Sequence, residues 1–366
     1  MNLDYNDEQN MLREQIQKFC ESEYDFYKRE EIVKSSKDFD PNVWNLFAEQ
    51  GWLSMPFSEQ SGGLGFGPIE LSILFEEFGK ALVIEPYLST VVLSGTLLDK
   101  STFSEKNDLI EKICTGSIHI SLAYAEVDNG YNYLSPSTTL DSKFVLNGTK
   151  TLVLNGSNAE KIIVTCTNDD TLNIVLLDAN TPGVSINSFS TVDGQSCSEI
   201  SFENVKLDKS NIIATGNDAE NLLKETINLA TLCICAEAVG CMESCYHKTL
   251  EYTKGREQFG QPISGFQVLQ HRMVDMFMQY EQSVSMTYMV NLKLEEEDVE
   301  RSKAASGAKV QICNAAKFIG QSAVQLHGGM GMTDELNVGH YFKRLSMIET
   351  QLGNADHHLK KYSLAS

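Results

Sequence analysis

Apolar residues recur at helical spacing from Asp7 to about Lys112. Leu12, Ile16, Phe19 and Cys20 share one face, and Trp44, Phe47, Ala48 and Trp52 another, the three-and-four spacing of amphipathic helices. Pro56 and the run Ser61-Gly62-Gly63-Leu64-Gly65-Phe66-Gly67-Pro68 interrupt the pattern, which resumes with Leu71, Leu74, Phe75 and Phe78 ahead of Gly79. No strand precedes the glycine-rich run and no Lys-Ser/Thr follows it, so it reads as a connection shaping a pocket wall rather than a phosphate loop.

At His119 the period changes from helical to alternating. HISLAYAE, FVLNGTKTLVLNG, KIIVTC, LNIVLL, GVSINSF and SEISFENVKL predict short strands, with Asn147-Gly148 expected to turn a hairpin. From Asn221 the helical period returns. Phe266, Leu269, Met273, Met276 and Tyr280 predict a bundle seam, and Ala304, Ala308, Ile312, Ala315 and Ile319 a helix whose small residues permit close packing. The expected class is α+β: an N-terminal helical domain at 1–116, a β domain at 117–216 and a C-terminal helical bundle at 217–366.

Composition narrows the functional classes. The 366 residues are 42% hydrophobic, enough for packed cores, and carry a formal charge of −21. Such a field disfavours nucleic acid and anionic membranes as partners, and a polyanionic ligand needs a local basic patch. The opening MNLDYNDEQNMLREQ is acidic and without an apolar segment, so no secretory signal is expected, and no uninterrupted apolar run reaches membrane-spanning length. The nine cysteines have no metal-ligand spacing, and adjacent His357 and His358 point apart on a helix. Reduced thiols, no metal site and a cytoplasmic location are the expectations.

The chemistry concentrates in Gly255–Met276, GREQFGQPISGFQVLQHRMVDM, which joins two helical patterns. Its arginine can fork onto a phosphate pair, its glycines let a backbone approach a ligand, and its phenylalanines offer a stacking face. Together they suggest a nucleotide-shaped ligand.

That stretch and the order helical, β, helical resemble the acyl-CoA dehydrogenase family over essentially the whole chain. The local matches are Arg256-Glu-Gln-Phe259-Gly-Gln-Pro-Ile-Ser-Gly-Phe-Gln267 and Gln325-Leu-His-Gly-Gly-Met-Gly331, supported by Gly51-Trp52-Leu53, Gly62-Gly63-Leu64-Gly65 and Leu146-Asn-Gly-Thr-Lys150. The resemblance implies FAD as cofactor and α,β-desaturation of an acyl-CoA thioester, a carboxylate taking the α proton while the β hydrogen leaves as hydride. It implies that Arg256 binds pyrophosphate, Phe259 packs the adenosine part and Gln325 hydrogen-bonds the cofactor. Gly328 and Gly329 would allow close approach and Gln258 would assist, all toward an FAD seated mainly in a neighbouring subunit.

The other half of the family site departs from the pattern. The usual base position is Leu352, before Gly353, and the alternative base position is Ala230; neither side chain takes a proton. Leu152 and Leu154 stand where the family commonly has tryptophan and threonine, and being two apart they are expected to face one side of the strand. Ala125 replaces a threonine, and Asp128-Asn-Gly-Tyr131 replaces a Gly-Ser-Asp loop. The run from Gly331 to Leu345 and the stretch Leu352–Leu359 are similar to the small subunits of bacterial two-subunit members, such as the pimeloyl-CoA dehydrogenase small subunit. The implied partner is a homologous catalytic subunit in a hetero-oligomer. A homo-oligomeric, self-sufficient enzyme with Glu349 as displaced base is the alternative, Asp356 being a poorer base; a non-catalytic scaffold is the third reading.

Overall fold

The computed structural model describes residues 5–35, 38–294 and 296–365. The first four residues of the opening where no secretory signal is expected lie outside the described residues. In chain order the elements are α1 (Asp7–Glu23), α2 (Phe26–Lys34), α3 (Pro41–Glu49), α4 (Pro68–Ala81), α5 (Thr96–Lys100) and α6 (Lys106–Cys114). Eight strands follow: β1 (Ile120–Ala123), β2 (Thr139–Leu140), β3 (Val145–Leu154), β4 (Lys161–Asn168), β5 (Thr171–Asp178), β6 (Val184–Ser190), β7 (Ser196–Lys206) and β8 (Ile212–Thr215). Then come α7 (Gly216–Gly255), the short β9 (Glu257–Gln258) and β10 (Gln261–Pro262), α8 (Gln267–Lys293), α9 (Asp298–His327), α10 (Val338–Thr350) and α11 (Ala355–Leu364).

The chain forms two compact units, one of Glu31–Gly67 and Ile84–Ala230, the other of Met1–Glu30, Pro68–Val83 and Thr231–Ser366. The first holds the sheet, ordered β6-β7-β3-β2-β4-β5-β8 with β1 parallel to β4. Its core holds Ile162, Val164, Val175, Ile200 and Phe202, and also Leu146 and Val153, which the register shifts of β3 bring to the same side. Asn147-Gly148 is not a turn: both lie within β3, where the register against β7 shifts between Leu146 and Gly148. A Cβ on Gly148 would lie 2.6 Å from Thr138 Oγ1, so this glycine serves a close approach at a bulge.

In the second unit α8 and α9 pack together, with α10 and α11 against α9. Met273 and Met276 of the anticipated seam are buried, as are Ala304, Ala308, Ile312, Ala315 and Ile319. Phe266, Leu269 and Tyr280 are half-buried, and the seam continues instead through Ser283, Thr287 and Val290. Helix α7 is long and apolar enough to cross a membrane by length and composition, yet 78% of its most apolar window is buried in the protein, as in a core helix.

Candidate functional site

Helix α7 stops at Gly255, and the next eleven residues form a tight hairpin. Ile263 N–H donates to the Arg256 carbonyl at 2.8 Å, and β9 pairs antiparallel with β10. Phe259 and Gly260 make the two-residue loop, at φ 56° and 81°; positive φ at both positions is the primed turn that matches strand twist. Glycine adopts it freely, whereas a phenylalanine there is strained. Phe259 is also 93% exposed and touches Phe266 only edge-on, with ring centroids 6.2 Å apart. Arg256 is exposed, and its guanidinium has no hydrogen bond or ion pair among the described residues. Gln258 spends its amide on the Glu257 carbonyl at 2.7 Å. The hairpin thus offers an unpaired fork and a bare ring, both uncovered.

The second motif lies at the end of α9. Gln325, Gly328 and Gly329 line a cavity of about 470 Å³ with Gln321, Val324, Met332 and Phe342. Gly328 ends the helix at φ 60°, and a Cβ on Gly328 or Gly329 would meet nothing within 4 Å. Packing inside the chain therefore does not demand glycine at 329; close approach by something outside it supplies a reason. The exposed Gln325 amide is unpartnered among the described residues. No hairpin residue lines this cavity.

The two positions at which the resemblance leads one to expect a base carry side chains that take no proton. Ala230 is fully buried in α7. Leu352 is 8% exposed at φ 59°, at the head of a turn with Gly353 at φ 115°. Two buried residues that pattern reading did not single out for this role hold that turn. Lys309 donates to the carbonyls of Ile348 at 2.5 Å and Gly353 at 3.0 Å, and His358 Nε2 lies 3.0 Å from the Leu352 carbonyl. The signal was a lysine adjoining the apolar stripe of α9. Glu349 is half-buried near the end of α10; its carboxylate makes no hydrogen bond or close ion pair among the described residues, and it acts on the buried Lys309 through space.

In the β unit, Leu152 sits at φ 50° and is 53% exposed. The β3–β7 register shifts between Lys150 and Val153, so simple two-residue alternation does not relate Leu152 to Leu154; the bulge re-aims the strand. Neither these side chains nor Ala125 offers a hydrogen bond to a polar ring edge. Beside them stands a buried ion pair. Lys150 Nζ donates to Glu126 Oε1 at 2.7 Å and to Thr165 Oγ1 at 3.0 Å. Glu126 also accepts from Thr138 N and Oγ1, Ser137 N and Asn129 Nδ2. Burial pushes the Glu126 carboxyl up, but Lys150 and these donors outweigh it and hold it at about 2. Burial pushes Lys150 down to about 8 against the pull of Glu126.

Comparison with known proteins covers nearly the whole chain. Residues 6–117, 121–205 and 221–361 match, in order, the N-terminal, middle and C-terminal domain models of acyl-CoA dehydrogenase. A probable acyl-CoA dehydrogenase of Bacillus subtilis, YngJ, is 28% identical, with 97% of each chain covered. Among solved structures, one from the ChsE4–ChsE5 complex of Mycobacterium tuberculosis has a TM-score of 0.91 at 22% identity, covering 100% of this chain and 98% of the other. PigA with FAD and proline has a TM-score of 0.91 at 22% identity, with 100% and 98% covered.

Proposed function

The chain belongs to the acyl-CoA dehydrogenase family of FAD-dependent flavoenzymes, and we propose that it serves there as the subunit that grips a cofactor seated mainly in a homologous catalytic partner. When bound, FAD supplies the hydride acceptor for desaturation of an acyl-CoA thioester. The residues present fit one end of that cofactor and not the other. Arg256 meets the pyrophosphate charge as a fork, Phe259 covers the adenosine part, and Gln325 donates or accepts at the nucleotide. Gly328 and Gly329 let the backbone approach, and Gln258 extends the polar rim. Ala125, Leu152 and Leu154 leave a polar ring edge without partners, and Leu352 and Ala230 supply no base.

The observation that carries this reading is the outward hairpin: a strained, 93% exposed Phe259 beside the uncovered Arg256. A strained aromatic is retained where a surrounding structure holds it, and no described residue of this chain covers it. The similar ChsE4–ChsE5 structure is a complex of two different chains, in keeping with a paired arrangement. To test it, the chain is purified together with a homologous catalytic subunit. Arg256→Ala is expected to lower FAD retention in that complex by at least about tenfold. Undiminished retention contradicts the proposal.

A second reading, a self-sufficient enzyme with Glu349 as base, has in its favour the half-buried Glu349 carboxylate, which makes no hydrogen bond or close ion pair among the described residues. It requires activity from the chain alone.

A further inference from the structure

Beside the end of α9 lies a second pocket, of about 360 Å³, lined by His247, Lys248, Glu251, Tyr252, His327, Leu336, Asn337 and Val338. It shares no lining residue with the cavity of Gln325, Gly328 and Gly329. Its volume lies in the range of small-ligand sites.

His327 is 5% exposed and rigidly held. Its Nδ1 lies 2.8 Å from the Ala323 carbonyl, which assigns the proton to Nδ1. Its ring stacks on Tyr252 at 4.2 Å between centroids with 26° between planes, and the Tyr252 hydroxyl donates to the His327 carbonyl at 3.3 Å. Burial pushes the imidazole below its usual value, so Nε2 is a lone-pair acceptor near neutral pH. Nε2 has no protein partner among the described residues, although the ring lines the pocket. This acceptor is therefore open to the pocket and available to a donor that enters it.

The rest of the lining is suited to an anion. Lys248 has no carboxylate partner among the described residues, in a chain of net charge −21. The Asn337 side chain makes no capping bond, and the first turn of the thirteen-residue α10 starts at Val338, where N–H donors and the helix dipole favour negative charge. Glu251, the lining carboxylate, is already paired with Lys254 at 2.8 Å. A ligand for this pocket combines an N–H donor on a flat ring, for His327 and the aromatic wall, with a phosphate, for Lys248 and the α10 start.

We propose that this pocket binds an adenine nucleotide moiety, its exocyclic amine donating to His327 Nε2 and its phosphate meeting Lys248 and the N-terminus of α10. The moiety can come from a free nucleotide or from the nucleotide end of a larger cofactor. The site is separate from the Arg256 hairpin and does not depend on the role proposed for it.

Isothermal titration of the full chain with AMP, coenzyme A and FAD tests this and separates the sources. AMP is expected to bind saturably at one site per chain. Coenzyme A competing with AMP identifies the bound moiety as a cofactor end, and AMP binding without such competition identifies a free nucleotide; either supports the site. Lys248→Met, a surface change, is expected to weaken AMP by about tenfold or more, and His327→Asn likewise, because asparagine can keep the bond to Ala323 but lacks the Nε2 acceptor. AMP methylated twice on its exocyclic amine should bind the wild type correspondingly less well and so needs no folded His327 variant. Arg256→Ala is expected to leave AMP binding unchanged. No saturable binding overturns the proposal, as does binding that survives both Lys248→Met and the loss of the amine donor, or that is abolished by Arg256→Ala.

Discussion

The buried pair Glu126–Lys150 shows what a single contact decides in the β unit. Both side chains are nearly inaccessible, and Glu126 accepts from the 129–138 loop as well as from Lys150 on β3. Its folded carboxyl, near 2, lies below its ordinary 4.5. The unfolded chain therefore binds the proton more readily in acid. The stabilisation is fully present above about pH 4.5 and is lost as pH falls toward 2, amounting to about 3 kcal/mol for the carboxyl alone. Lys150→Met leaves that carboxylate buried without its cation and should cost about 3–5 kcal/mol at neutral pH. Hydrogen exchange across β3 and β4 measures it. The expected result is lost protection at pH 7, with the gap to wild type narrowing in acid. Equal protection at pH 7 contradicts the account.

Elements with strong periodicity were legible in the sequence; their exceptions were set by neighbours. Sequence pattern located the strands of the sheet, through alternation in β3 and through short apolar runs in β1, β4 and β5, which are buried on both faces along most of their length. It misread Asn147-Gly148, whose glycine answers to Thr138 across a bulge rather than to a turn. The helical repeat found α4 and the buried stripe of α9, but not the eight-residue π-helical segment Leu88–Gly95, which has no distinct pattern. Nor did it show that α4 and α7 touch backbone to backbone. A Cβ on Gly79 would lie 2.0 Å from the Glu237 carbonyl oxygen, and one on Gly240 1.8 Å from that of Glu76. Because the obstructing atoms are main chain, the helices themselves would have to separate. Gly240→Ala is expected to destabilise by at least about 2 kcal/mol, seen as a lower urea midpoint. An unchanged midpoint contradicts this close crossing.

At the scale of the whole molecule, the motifs that announced a nucleotide ligand were readable because Arg256, Phe259, Gln325 and the two glycines are chemically particular residue types. Their arrangement was not readable. Only the folded chain shows Phe259 bare at a positive φ and Gln325 at a cavity that no hairpin residue lines. Buried polar residues such as His327 and Lys309 were equally hidden, since their partners are carbonyls that no sequence pattern marks. The inert Leu352 and Ala230, the aliphatic Ala125, Leu152 and Leu154, and the outward hairpin are the features from which we propose a division of labour between subunits. Flavin stoichiometry tests that claim most directly, by recording visible absorbance per chain and acyl-CoA dehydrogenase activity for this chain alone and with a homologous catalytic subunit. The account predicts little flavin and no activity alone, and an active yellow complex with fewer flavins than chains. A yellow, active homomer with one flavin per chain, or a colourless complex, would contradict it.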